Sequence, residues 1–240
     1  MERIEELTSK IEEARGLRKV AAEEAEALSK SSTEVAFRKL RDEFGTKTLC
    51  EVCQTITDGD HNTPKFSDSG TRFIFVGNVS SGHLHFGNSK RVSSDYFNGL
   101  KPQRVPRRGD ILYSAVGATL GVPAIVDTDE PFCFQRHIAI LKPDHQQIES
   151  RFVWYMLRSS TVFDKAWAST TGSAQPTVPL RAIRELSTPV PPLSEQRRIV
   201  TALDKLHEEV DGLNRMQAET SAELDALMPS ILNKAFQGEL

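Results

Sequence analysis

The stretch Ile199-Val-Thr-Ala-Leu203-Asp-Lys-Leu206-His-Glu-Glu-Val210-Asp-Gly-Leu213 begins a seam that decides how this chain is built. Its apolar positions step by four and three and continue through Gln217, Thr220, Leu224, Leu227 and Ile231. That alternation is the signature of a coiled coil, in which all such positions fall on one helix face. The first forty residues repeat it with smaller side chains: Ile4, Leu7, Ile11, Ala14, Arg18, Ala21, Ala25, Leu28, Ser32 and Val35. Two long helices are therefore expected to bracket the chain. An Ala-rich seam facing a Leu-rich one suits antiparallel packing, since small side chains accommodate large ones. The helices can close on each other within one chain, across two chains, or both.

Working inward, Phe44-Gly45-Thr46 reads as the stop of the first helix, with Gly where a left-handed residue is wanted. Pro189 to Pro192 reads as a stiff connector, with Ser194 as N-cap of the last helix. Pro229 is a candidate bend. Between these lies a segment rich in strands and turns. Arg72-Phe-Ile-Phe-Val76, Leu84-His-Phe86, Asp110-Ile-Leu-Tyr-Ser114, Val122 to Val126 and Phe132 to Leu141 are the expected strands, and Glu149 to Ser159 is an expected helix. The aromatic residues of that helix, Phe152 and Tyr155, are expected in the core. Thr170 to Thr177 has the composition of a loop. The fold class is α+β, with one mixed, strand-rich domain flanked by two coiled-coil helices.

No run approaches the roughly 20 apolar residues of a membrane span. The charged start lacks a signal-peptide pattern, so a cytoplasmic protein without membrane contact is expected. Cys50, Cys53 and Cys133 are expected to be reduced. Cys50-Glu-Val-Cys53 has the spacing of half a zinc knuckle, but a second Cys/His pair is missing, which leaves half-buried structural thiols as the expectation. The net charge of −3 conceals an uneven distribution: residues 1–46 carry −2, residues 193–240 carry −4, and the middle carries +3. The excess clusters at Lys90, Arg91, Lys101, Arg104, Arg107 and Arg108, opposed within that run by Asp95 alone. Such a run is either a solvated surface or a phosphate-binding patch.

Catalytic patterns are missing. The Pro-Pro pair in Val190-Pro-Pro-Leu193 has no preceding Asn or Asp, as an amino-methyltransferase turn would require. No acidic-x-Lys triplet of a metal-dependent nuclease occurs, and Gly117 to Gly121 lacks the Lys of a phosphate loop. Asp58-Gly-Asp60 lacks the ligand pattern of a calcium loop and reads as a turn. No catalytic residue, metal site or bound cofactor is expected.

Several segments in order carry a resemblance. Asp58-Gly-Asp-His-Asn-Thr-Pro64, Gly109-Asp-Ile-Leu-Tyr-Ser114, Gly117-Ala-Thr-Leu-Gly121 and Gly172-Ser-Ala-Gln-Pro176 are followed by Pro191-Pro-Leu-Ser-Glu-Gln-Arg-Arg-Ile-Val200 and the ending Leu232-Asn-Lys-Ala-Phe-Gln-Gly-Glu-Leu240. Together they resemble specificity subunits of type I restriction-modification systems over nearly the whole chain. The resemblance implies residues 1–45 as a conserved helix, 46–192 as a target-recognition domain that reads double-stranded DNA, and 193–240 as a second conserved helix. Subunits of this family carry two recognition domains; one is present here, so the chain looks like a half-subunit. The resemblance further implies pairing with a second copy or another half, docking of methyltransferase subunits that use S-adenosylmethionine, and attachment of a motor-nuclease subunit. The specificity subunit itself would be non-catalytic.

Reading DNA needs cations for the phosphates and hydrogen-bonding side chains for the base edges. The basic run suits the first task. For the second, Gln135, Arg136 and His137 stand together inside an apolar strand, where alternation would send Arg136 to one face and its neighbours to the other; the competing reading is a satisfied buried polar pair. Asn62, Thr63 and Lys65 follow a turn and are further candidates, as are Thr171, Ser173 and Gln175. For the helices, the expected partner seam is Ile4, Leu7, Ile11 and Leu28 with Leu203, Leu206, Val210, Leu213, Leu224, Leu227 and Ile231. The rival readings are a coiled-coil interaction module or an inactive fragment and, with least support, a self-sufficient methyltransferase or nuclease.

Overall fold

A computed structural model describes residues 2–62, 64–172 and 175–237. Thr63, Ser173 and the side chain of Ile4 lie outside the described residues. In chain order the elements are α1 (Glu2–Phe44), β1 (Lys47–Thr48), α2 (Leu49–Val52), β2 (Cys53–Asp58), β3 (Phe66–Ser67), β4 (Thr71–Ile74), β5 (Lys90–Val92), α3 (Ser94–Asn98), β6 (Ile111–Ser114), β7 (Pro123–Ile125), β8 (Phe132–Phe134), β9 (Ile138–Pro143), α4 (Ser150–Arg158), α5 (Ser160–Ala168), α6 (Leu180–Glu185), β10 (Ser187–Thr188) and α7 (Leu193–Phe236). They form two units, Met1–Ser32 with Thr201–Leu240, and Thr33–Val200. The first turns of α7 and the last turns of α1 thus belong to the central unit.

In the helical unit α1 and α7 run antiparallel. The Arg15 guanidinium donates to Asp225 at 2.5 Å, and Arg15, Arg18 and Lys19 share a cleft with Gln217, Ala218, Ser221 and Leu224. Ile11, Leu203 and Val210 are buried, while Leu7, Leu206, Leu213, Leu224 and Ile231 are half-buried. Leu28 and Leu227, also named for the partner seam, are 57% and 46% exposed in the single chain. In α1 the half-buried positions near Leu28 are Ala25, Glu26 and Ser29.

The central unit is closed where the chain enters and leaves. Gly45 adopts φ 67° after α1, its amide donates to the Arg41 carbonyl, and β1 then pairs with β10. Two four-stranded sheets follow, one antiparallel in the order β2-β9-β6-β7 and one mixed in the order β3-β5-β4-β8, with β4 and β8 parallel. Alternation sorts the side chains of the mixed sheet. Ile74, Phe132 and Phe134 enter a core shared with Leu112, Ala124, Ile138 and Ile140, whereas Phe73, Cys133 and Val92 face Tyr96, Phe97 and Leu100 around α3. Helix α4 buries Phe152, Trp154, Tyr155 and Met156, and the Trp154 indole donates to the Pro123 carbonyl at 3.0 Å.

Three local expectations fail. Leu84-His-Phe86 is a loop: the His85 amide donates to Asn78 and Asn78 donates to the Gly87 carbonyl, so its apolar residues anchor a turn rather than a strand. Phe132 to Leu141 is two strands, because the chain leaves the mixed sheet after β8 and joins the antiparallel sheet as β9, turning at Gln135–His137. Ser194 lies inside the first turn of α7, where the Pro192 carbonyl takes the first amides. The helix continues through Pro229.

Candidate nucleic-acid interface

Strand register determines which loops meet. Asp58, at the end of β2, pairs with Ala139 near the start of β9, and Ser114, the end of β6, pairs with Ile138. Residues 59–65, the turn 135–137 and the loop 115–121 therefore leave the same edge of the antiparallel sheet. The Ala115 amide donates to the His137 carbonyl at 3.1 Å. Segment 171–177 joins them: Thr171 and Thr177 exchange backbone bonds, and the Gly117 amide donates to the Pro176 carbonyl at 3.0 Å.

The first loop is fastened from several sides. A Cβ on Gly59 would stand 2.3 Å from the Phe134 carbonyl oxygen, so only glycine lets this backbone lie on the turn. Asp60 bridges to Gln135. The Arg104 guanidinium forks to Asp60 at 3.3 Å and Asp58 at 3.4 Å, the Tyr96 hydroxyl donates to Asp60 at 3.2 Å, and His61 pairs with Asp58 at 2.8 Å. Burial, then the Asp60 charge, pushes the Tyr96 phenol well above its usual range, so it remains a donor.

On this edge Asn62, Lys65 and Arg136 are exposed, and Gln135 and His137 are half-buried. A turn replaces the expected strand, so all three residues of the Gln135–His137 segment sit on the edge and none lines the opposite face of a sheet. Burial and then the neighbouring Arg136 charge lower the His137 pKa, which keeps the imidazole neutral near pH 7. Thr171 and Gln175 are exposed on the adjoining loop.

The basic run does not form one patch. Arg107 and Arg108 precede β6, at the end of the sheet opposite the loops, about 13 Å away along a four-residue strand. They line a cleft of about 330 Å³ with Gln54, Lys142 and His145. Arg108 is held by the Asp129 carboxylate and the Asp127 carbonyl. Lys142 is held by Asp110. Lys90 lies 4.4 Å from the Phe66 ring centre, and Arg91 donates to the Gly70 carbonyl at 2.7 Å. Lys65, Lys101, Arg107 and Arg136 make no ion pair among the described residues and are exposed. The sequence reading missed Tyr96 because its partner Asp60 lies 36 residues away, and His61 because only the folded turn brings it onto Asp58. It also missed the exposed stacked pair Phe163 and Trp167, the latter beside Gly117 and Gln175.

Among the described residues no group of His, Cys, Asp and Glu could hold a metal ion. Burial pushes the Cys53 thiol up to about 12, with charge from Cys50, Asp110 and Asp144 adding to it, which disfavours a metal-binding thiolate.

A family model for the type I restriction modification DNA specificity domain matches residues 41–220. Curated relatives include the EcoBI specificity subunit of Escherichia coli, 28% identical over 171 residues, which cover 71% of this chain and 36% of that protein. The StySPI specificity subunit of Salmonella potsdam is 33% identical over 112 residues, 46% of this chain and 24% of its own. Among solved structures, the HsdS subunit of Thermoanaerobacter tengcongensis aligns with 99% of this chain and 57% of its own at 28% identity and TM-score 0.63. A chain from a study of complex assembly and conformational transition of the type I R-M system aligns at TM-score 0.77 and 28% identity, over 99% and 58%. The chain thus spans about a third of the first curated relative and under three fifths of the solved ones. With a family match over three quarters of its length and its mixed domain between long helices reproduced in solved HsdS chains, this chain belongs to the type I restriction-modification DNA specificity family.

Proposed function

We propose that the central unit reads one half of a split site in double-stranded DNA, and that the helices pair two recognition domains and dock methyltransferase subunits. The observation carrying this reading is the convergence of Asn62, Gln135, Arg136 and His137 at one sheet edge. Arg and Gln suit guanine and adenine edges, and Lys65 and Lys101, which make no ion pair among the described residues, supply charge for phosphates. The chain's own part is non-catalytic: it places the DNA, and S-adenosylmethionine belongs to the partner subunit. A symmetric pair of copies would read an inverted repeat, because two-fold symmetry makes the half-sites identical. The exposed Leu17, Val20 and Leu28 of α1 support a role for the helices in docking partners. Attachment of a motor-nuclease subunit belongs to the same proposal, as does a cytoplasmic setting.

The test is to assemble the chain with its methyltransferase partner, expose genomic DNA to the complex and map methylated adenines by sequencing. A single bipartite motif that disappears without this chain is the expected result. Methylation at the same sites in its absence, or no DNA binding by the assembled complex at any salt, overturns the proposal.

A further inference from the structure

Arg104 lies in the basic run, yet its surroundings point away from phosphate. Its guanidinium faces two carboxylates, Asp58 and Asp60, and all three side chains are at most 22% exposed. The trio carries a net charge of −1, so it offers no positive charge to a polyanion. The geometry does something else. Asp58 ends β2 and Asp60 bridges to Gln135 on the β8–β9 turn, so one guanidinium fork spans both ends of the Asp58-Gly-Asp60 turn. Gly59 seats that turn on the Phe134 and Gln135 backbone, and Tyr96 fixes Asp60 from α3. The loop that carries His61 and Asn62 is thereby locked to the turn that carries Arg136 and His137.

We infer that Arg104 is a positioning residue: by tying Asp58 to Asp60 it holds the 58–62 loop in the shape that lets Asp60 pair with Gln135 on the 135–137 turn, and so sets the spacing of the side chains proposed to face the bases. This rests on the proposed DNA-reading role of that edge. A planar fork is needed because two acceptors must be held at a fixed separation, which a lysine ammonium, a point charge on a flexible stem, does not do. The substitution Arg104→Lys therefore keeps the local charge and removes the fork. His61, held by Asp58 and 60% exposed at its side chain, is carried by the same clamp.

The experiment compares wild type and Arg104→Lys, each assembled with the methyltransferase partner. Binding is measured on a duplex bearing the mapped motif and on a scrambled duplex, across a salt series. Hydrogen exchange on the same proteins follows residues 58–62 and 135–137. Expected are unchanged affinity and salt slope on scrambled DNA, a fall of about tenfold in the ratio of motif to scrambled affinity, comparable to losing one base contact, and faster exchange confined to the two segments. A salt slope lower by about one with equal loss on both duplexes identifies a phosphate contact and overturns the inference. Unaltered exchange in the two segments also overturns it, whatever the DNA result. Exchange accelerated equally in β6 and β9 means general destabilisation and counts against it too. Failure of wild type to bind any DNA defeats the reading of the edge and leaves the clamp to be judged by exchange alone.

Discussion

The Glu34 carboxylate accepts hydrogen bonds from the Thr161 hydroxyl at 2.6 Å and amide at 3.2 Å, from the Ser160 hydroxyl at 3.2 Å, and from Arg41 at 2.9 Å. Burial by itself would raise its pKa, but the donors outweigh burial and hold it at about 2, against an ordinary 4.5. A depressed carboxylate stabilises the fold above its unfolded pKa and ceases to do so as pH falls through its folded pKa. The contribution amounts to about 3 kcal/mol at neutral pH and is lost between about pH 4.5 and pH 2. Glu34→Gln should therefore lower unfolding free energy at pH 7 by about 1–3 kcal/mol. In denaturant titrations the gap between mutant and wild type should close as pH approaches 2; a gap independent of pH would contradict this account. At Gly59 the expected cost is steric. Alanine would press on backbone atoms that cannot yield, so Gly59→Ala should destabilise by about 1–3 kcal/mol and weaken DNA discrimination, both measurable on one preparation by thermal melts and competition binding.

At the scale of elements, legibility followed the range of the forces involved. Helix α4 was readable because Phe152, Tyr155 and Met156 repeat at helical spacing and all are buried. The stop at Gly45 was readable because its cause is local: a left-handed backbone. Leu84-His-Phe86 alternates like a strand, yet Asn78, a residue with no strand signal, fixes it as a loop. The break at Gln135 depends on β4, sixty residues earlier, receiving β8 in a different sheet from β9. Only non-local pairing decides such a point, and periodicity is blind to it. The candidate edge was legible as residue types and illegible as a place: the motifs were visible in order, while the register bringing 59–65, 115–121 and 135–137 together was not. The helices supply a test of seam chemistry. Arg18 occupies a seam position, and its Nη1 is buried without a hydrogen-bond partner among the described residues. An unsatisfied buried donor costs about 1–3 kcal/mol. Arg18→Leu should therefore raise the unfolding free energy of the helical unit by about 1 kcal/mol, visible in a thermal melt by circular dichroism. A destabilised variant would mean that Arg18 holds an acceptor in the assembled protein.

For the whole molecule, the distribution of charge decides how the proposed DNA partner would be met. The chain is acidic overall, with −2 and −4 in the terminal segments and +3 in the middle. In the proposed role the chain as a whole would attract DNA only weakly, so affinity would have to come from particular cations. Counting arginines and lysines in the Lys90–Arg108 run overstates them, because a cation bound to a carboxylate releases no phosphate counterion. Arg104 has Asp58 and Asp60, and Arg108 has Asp129. Lys65, Lys101 and Arg107 are exposed and make no ion pair among the described residues. Replacing these three by alanine should weaken binding to motif and scrambled duplexes alike, and lower the slope of log affinity against log salt by roughly 0.9 for each cation that touches a phosphate. The control removes Arg108 together with Asp129, which keeps net charge unchanged and should leave the slope where it was. A slope that falls in the control but not in the triple variant would move the phosphate track to the Arg108 end of the cleft. A fall confined to the triple variant places the DNA backbone along the line from the 59–65 loop past Lys101 to Arg107, with the base-facing turn at one end of it.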